Sequence, residues 1–156
     1  MKDRQIELLL DRRVSSIERP ESAVVFEDGS SLSYSHLVLA TGAIPKRLPF
    51  AGQEFAGVHT LHNLWAAQRL KSDLASASNV VVIGAGFIGL EFSASAASSC
   101  RVVHVVEVAA RVMGRAVSPP TSEFFADAHR ALGIQLHLGT SVSAIEGRDG
   151  RVTTVH

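Results

Sequence analysis

The chain has 156 residues, with 15 Lys and Arg balancing 15 Asp and Glu, so no global field draws it to nucleic acid or an anionic membrane. Its 46% hydrophobic and 19% charged residues can build a packed core, which argues against a disordered chain. The single cysteine, Cys100, excludes an internal disulfide framework or a Cys-x-x-Cys redox pair within these residues. The longest apolar run, residues 80–90, is too short to span a membrane, and no secretory leader is visible, so a soluble, cytoplasmic protein without membrane partners is expected.

The first third predicts β structure. Residues 5–10 and 13–17 are short strand-like runs, broken at Arg19-Pro20-Glu21-Ser22. Residues 23–27, then Asp28-Gly29, then Leu32 and Tyr34 in alternation, form a hairpin pattern. Residues 37–40 are apolar throughout and end in Thr41-Gly42, the pattern of a strand buried on both faces. Pro45, Pro49, Gly52 and Gly57 mark a connector. The division expected is a first domain over residues 1–45, a linker over 46–61 and a second domain over 62–156.

In the second domain the spacing of apolar residues predicts helices over 62–75, 87–98 and 121–132, the last capped by Thr121 or Ser122 and ended by Gly133. Strands are predicted over 79–83, 101–107 and 134–138, followed by a hairpin across Asp149-Gly150. Strand–helix–strand alternation implies an α/β fold: a Rossmann-like βαβ unit with a parallel sheet and right-handed crossovers, preceded by a β-rich segment.

The most informative motif is Gly84-Ala85-Gly86-Phe87-Ile88-Gly89. A lone Gly-x-Gly-x-x-Gly is weak, but here a Val/Ile strand precedes it, a helix follows, and Glu107 closes the next strand. Gly84 would allow the tight turn, Gly86 the approach of a pyrophosphate, and Gly89 close helix–strand packing. The helix N-terminus would face the phosphates with unpaired N–H groups. The alternative is a glycine turn against a core helix. Glu107 can accept from both hydroxyls of an adenosine ribose and repel a 2′-phosphate, which favours NAD(H) over NADP(H). The alternative is a solvent-facing strand end. Arg111 and Arg115 complicate that choice, since either could reach a phosphate.

With these residues in place, the run from Val81 through Gly84, Gly86 and Gly89 to Glu91 resembles the NAD-binding segment of the pyridine nucleotide–disulfide oxidoreductase superfamily. Glu107, Arg111-Val112-Met113 and Arg115-Ala116-Val117-Ser118-Pro119 resemble its ferredoxin, rubredoxin and putidaredoxin reductase branch more narrowly, and residues 37–45 resemble the Ala-Thr-Gly stretch leaving the FAD domain. The resemblance implies that residues 1–45 end an FAD-binding domain and that the second domain binds NAD(H). Hydride would pass from NADH to FAD, and electrons on to a ferredoxin-type iron–sulfur protein. By position, Gly84, Ala85, Gly86, Phe87, Ile88, Gly89 and Glu107 would hold NAD, with Arg115 near the adenosine end. Glu91 would lie at the nicotinamide–flavin contact as the catalytic carboxylate, and Ala40, Thr41 and Gly42 would brush the FAD. Glu91 could instead be a helix-N-terminal acid, and Thr41-Gly42 a strand-ending turn.

Lys46 and His62 stand where that branch usually has Arg, and Cys100 where it usually ends the dinucleotide helix with Gly. The branch's FAD-diphosphate cradle and its later domains would lie outside these residues, so the chain alone is expected to be inactive, with exposed apolar faces that favour self-association. A disulfide reductase of the same superfamily, or a non-catalytic NAD-binding or structural piece, stays open. Tyr34 has Val38 four residues on, so a Tyr-xxx-Lys dehydrogenase does not fit. The seven histidines show no ligand spacing, and no metal site is expected.

Overall fold

The computed structural model describes residues 6–99 and 102–156, so Cys100 lies outside the described residues. The chain forms two compact units, Met1–Ala43 and Ile44–His156.

In the first unit, β1 (Val14–Glu18), β2 (Ala23–Phe26) and β3 (Ser31–Ser33) pair antiparallel in that order. Alternation along β2 buries Val24 and Phe26. The predicted turn between β2 and β3 is present. Asp28 accepts from the Ser30 N–H (2.9 Å) and hydroxyl (2.5 Å) and pairs with Arg12. The Ser30 bonds, with Arg12 beside them, hold the Asp28 carboxyl below its ordinary range.

Two predicted strands are absent. Residues 6–10 are exposed and form no strand, and Gln5 lies outside the described residues. Residues 37–40 also form none, with Val38 84% and Leu39 67% exposed. The reason is the same in both places. Apolar side chains favour a strand only where a neighbouring backbone completes the ladder, and no described residue pairs with either run.

The second unit is built on β4 (Asn79–Ile83), β5 (Val102–Glu107) and β6 (Gln135–Leu138), all parallel and in chain order. Their helical connections are α2 (Phe87–Ala97) and α3 (Pro119–Ala131). Val103 and Val105 are wholly buried, and Val80, Val82, Leu136 and Leu138 share their face and pack on Leu90, Ala96, Ala126 and Ile134. The opposite face presents Val81, Ile83, His104, Val106 and His137, and there His104 Nδ1 lies 3.0 Å from His137 Nε2. The α/β class with a parallel sheet is therefore the observed one.

α1 (Leu64–Leu74) begins two residues later than predicted because Asn63 caps it, its side chain accepting from the Ala66 N–H at 2.8 Å. α3 starts earlier than predicted, with Ser118 rather than Thr121 or Ser122 at the cap. Pro119 and Pro120 occupy the first turn, where a missing N–H costs no helical bond. α2 and α3 are joined through buried His129, whose Nδ1 and Nε2 lie 2.7 Å from the Phe125 carbonyl and 3.1 Å from the Leu90 carbonyl. β7 (Ile145–Arg148) and β8 (Arg151–Val155) form the expected hairpin, with Asp149 and Gly150 both at positive φ. Residues between Gly52 and Val58 pack on this hairpin. A Cβ at Gly52 would sit 2.2 Å from the Ile145 carbonyl oxygen, so only glycine fits that approach. Among the described residues, no helix is long and apolar enough to cross a membrane.

Candidate functional site

The glycine turn stands at the carboxyl end of β4. The Gly84 N–H donates to the Val106 carbonyl (2.8 Å), the last rung of the ladder, and the chain then turns at φ +105° into α2. That φ is open to glycine and strained for other residues. A Cβ at Gly89 would lie 2.1 Å from the Gly84 carbonyl oxygen, so the first turn of α2 is pressed against the turn that starts it. At Gly86, the α2 N-cap, a Cβ would meet nothing within 4 Å. No side chain caps α2, and its leading N–H groups, as at any helix start, have no intrahelical partner. Phe87 and Ile88 are each 60% exposed beside it.

Glu107, at the end of β5, is more engaged than its sequence position suggests. One carboxylate oxygen accepts from the Ala85 N–H (2.7 Å) and the other from the Ala109 N–H (2.8 Å). It is half-buried and tied to the glycine turn, not a loose strand-end acid. A carboxylate offers about four acceptor positions, so positions remain for two further donors.

The loop after β5 closes the other side of the turn. The Met113 N–H donates to the Ala85 carbonyl at 2.8 Å, with Met113 held at φ +48°. Ala85 is wholly buried, with its N–H bound to Glu107 and its carbonyl to Met113. The Arg111 guanidinium donates to the carbonyls of Val117 (2.8 Å) and Gly114 (2.5 Å), so part of its donor set is spent within its own loop. Arg115 is exposed at the same loop.

Glu91 is exposed in the second turn of α2, and α2 has no acid in its first turn, so a helix-N-terminal acid is not what the structure shows. It lines an open cleft of about 440 Å³ with Ile88 from α2 and His62, Asn63 and Leu64 from the start of α1. The structure thus gathers Gly84, Ala85, Gly86, Gly89 and Glu107 at one turn and places Glu91 further along the same helix. Ala40, Thr41 and Gly42 belong to the first unit, where they are exposed. Met113 and Ala109 had no site role assigned from sequence, and Ser122 was expected only as a helix cap. A methionine in the left-handed region carries no compositional signal, because few non-glycine residues adopt that conformation. Among the described residues, no group of three His, Cys, Asp or Glu could hold a metal ion.

The arrangement can accept an anion at the α2 N-terminus and hydroxyl donors at Glu107, the two ends of an adenosine diphosphate. The chain is 42% identical to rhodocoxin reductase of Rhodococcus erythropolis over 153 residues, which are 98% of this chain and 36% of that protein. A ferredoxin reductase from Rhodopseudomonas palustris superposes with a TM-score of 0.84 at 40% identity, over 99% of this chain and 38% of that one. A water-forming NADH oxidase from Lactobacillus brevis, solved with NADH, superposes with a TM-score of 0.73 at 27% identity, over 93% of this chain and 33% of that one. The chain therefore spans about a third of the length of these relatives. Residues 2–156 match the pyridine nucleotide-disulphide oxidoreductase family, and the chain belongs to it.

Proposed function

We propose that the second unit is the NADH-binding part of a flavoprotein reductase, with the pyrophosphate at Gly84, Ala85, Gly86, Phe87, Ile88 and Gly89 and the adenosine ribose on Glu107. The observation that carries this reading is Gly86. It is the N-cap of a helix with no side-chain cap, has no neighbour within 4 Å of a Cβ position, and leaves room for the backbone to meet a phosphate. Glu107 supplies selectivity. Its remaining acceptor positions suit the two ribose hydroxyls, and its charge opposes a 2′-phosphate. A hydrogen bond to a charged group contributes roughly 1.5–3 kcal/mol, about ten- to a hundredfold in affinity. Exposed Arg115 would approach the adenosine end, and Glu91, which lines the cleft between α1 and α2, would lie towards the nicotinamide as the catalytic carboxylate.

In the whole protein, Ala40, Thr41 and Gly42 would border FAD. Bound FAD would supply the step from hydride to single electrons. The electron acceptor is a ferredoxin-type iron–sulfur protein, a reading supported by the ferredoxin reductase that this chain superposes on. This chain's own part is to hold and orient the dinucleotide.

Calorimetric titration of NADH and NADPH into the parent protein and Glu107→Ala tests the assignment. NADH is expected to bind the parent at least tenfold more tightly than NADPH. In the variant that preference should disappear, and NADH affinity should also fall, because the Ala85 N–H loses its acceptor. Equal affinities in the parent, or undiminished discrimination in the variant, would defeat the reading.

A further inference from the structure

Ser122 is among the most buried polar residues of those described, with 2% of its surface exposed. It lies in the first turn of α3, remote in sequence from the glycine turn, yet two hydrogen bonds and the peptide between Val112 and Met113 join the two. The Ser122 hydroxyl donates to the Val112 carbonyl at 2.5 Å. Val112 is wholly buried, so that carbonyl has no access to water. The next residue, Met113, is held at φ +48°, and its N–H donates to the Ala85 carbonyl inside the turn. Ala85 is held from the opposite side by Glu107.

We propose that Ser122 is a positioning residue for the dinucleotide site, acting through Val112 and Met113 to hold Ala85 and thereby the open backbone at Gly86. Non-glycine residues avoid positive φ, so Met113 stays there only while its neighbours over-determine it. The hydroxyl supplies one such constraint by fixing the peptide just before Met113, while Arg111 braces the loop after it at Gly114 and Val117. Without the hydroxyl, the Val112 carbonyl loses its buried partner, and the peptide is free to rotate towards another donor. The Met113 N–H then no longer points at Ala85, and the turn reaches its binding geometry in only part of the population. Apparent affinity falls in proportion to that fraction.

This inference rests on the dinucleotide reading, and the experiment separates the two. NADH affinity is measured by calorimetry for the parent, Ser122→Ala, Ser122→Cys, Ser122→Thr and Ala126→Gly, each checked by thermal melting. Ser122→Cys is included because it keeps a side chain at the site while offering only a weak donor, and the melting curves show whether it and the alanine variant fold. Ala126→Gly is the control for a general weakening of α3, since Ala126 is buried in the core. The alanine and cysteine variants are expected to bind NADH about five- to thirtyfold more weakly, with Ser122→Thr close to the parent. Ala126→Gly should melt earlier but bind normally. Parent-like affinity in the alanine or cysteine variant, or an equal loss in Ala126→Gly, would overturn the positioning role and leave the nucleotide site standing. A parent protein that binds no NADH would overturn both.

Discussion

Gly86 and Gly89 are three residues apart in one motif, yet the structure gives them opposite tolerances. At Gly86 the φ is −79° and the space beyond is open, so a side chain costs the fold little and fills the region assigned to pyrophosphate. At Gly89 any Cβ collides with the Gly84 carbonyl, so the fold itself must shift. Gly86→Val is therefore expected to melt within about 2 °C of the parent, as surface changes within about 0.5 kcal/mol do, while losing NADH binding. Gly89→Ala should lower the melting temperature clearly. A Gly86→Val protein that binds NADH like the parent would make the turn structural only. The glycines could be read from sequence because they answer to backbone sterics, which are local. The Glu107 bonds to Ala85 and Ala109, the diversion of Arg111 into its own loop and the left-handed Met113 could not, since each depends on where a distant backbone group ends up.

The elements that were legible are those carrying their own period and punctuation. α2 follows a glycine turn, β4 and β5 are Val-rich runs packed on the core along one face, and the hairpin turn at Asp149-Gly150 uses residues that accept positive φ. Residues 37–40 failed as a strand because a strand also needs partners, and apolar composition cannot supply them. α3 began early because proline, which stops a helix from within, is suited to its first turn. His129 shows how much of an element's stability is invisible in its pattern: one ring spans from α3 to the Leu90 carbonyl of α2. His129→Ala should cost on the order of 2–3 kcal/mol through the lost bond and the space left behind. Urea unfolding followed by far-UV circular dichroism checks this, with an earlier midpoint and an unchanged slope expected. A midpoint equal to the parent's would mean that the two helices hold together without the ring.

At the scale of the molecule, the two units carry different parts of the argument. Ile44–His156 holds the parallel sheet, the glycine turn and the cleft at Glu91, while Met1–Ala43 holds a small antiparallel sheet and the exposed run ending at Gly42. The reading of the whole protein as a flavin-dependent reductase extends beyond both, since the chain covers 36% of rhodocoxin reductase. The claim proper to this chain is that NADH sits on the turn between β4 and α2. Two-dimensional nitrogen–proton spectra of labelled protein, recorded as NADH is added, test it most directly. The account predicts that the amides of Gly86, Phe87, Ile88 and Gly89 shift most, together with those of Ala85, Ala109 and Met113, and that residues of the first unit stay unmoved. Saturating NADH that leaves the Gly84–Gly89 amides unchanged, or shifts concentrated elsewhere, would contradict it.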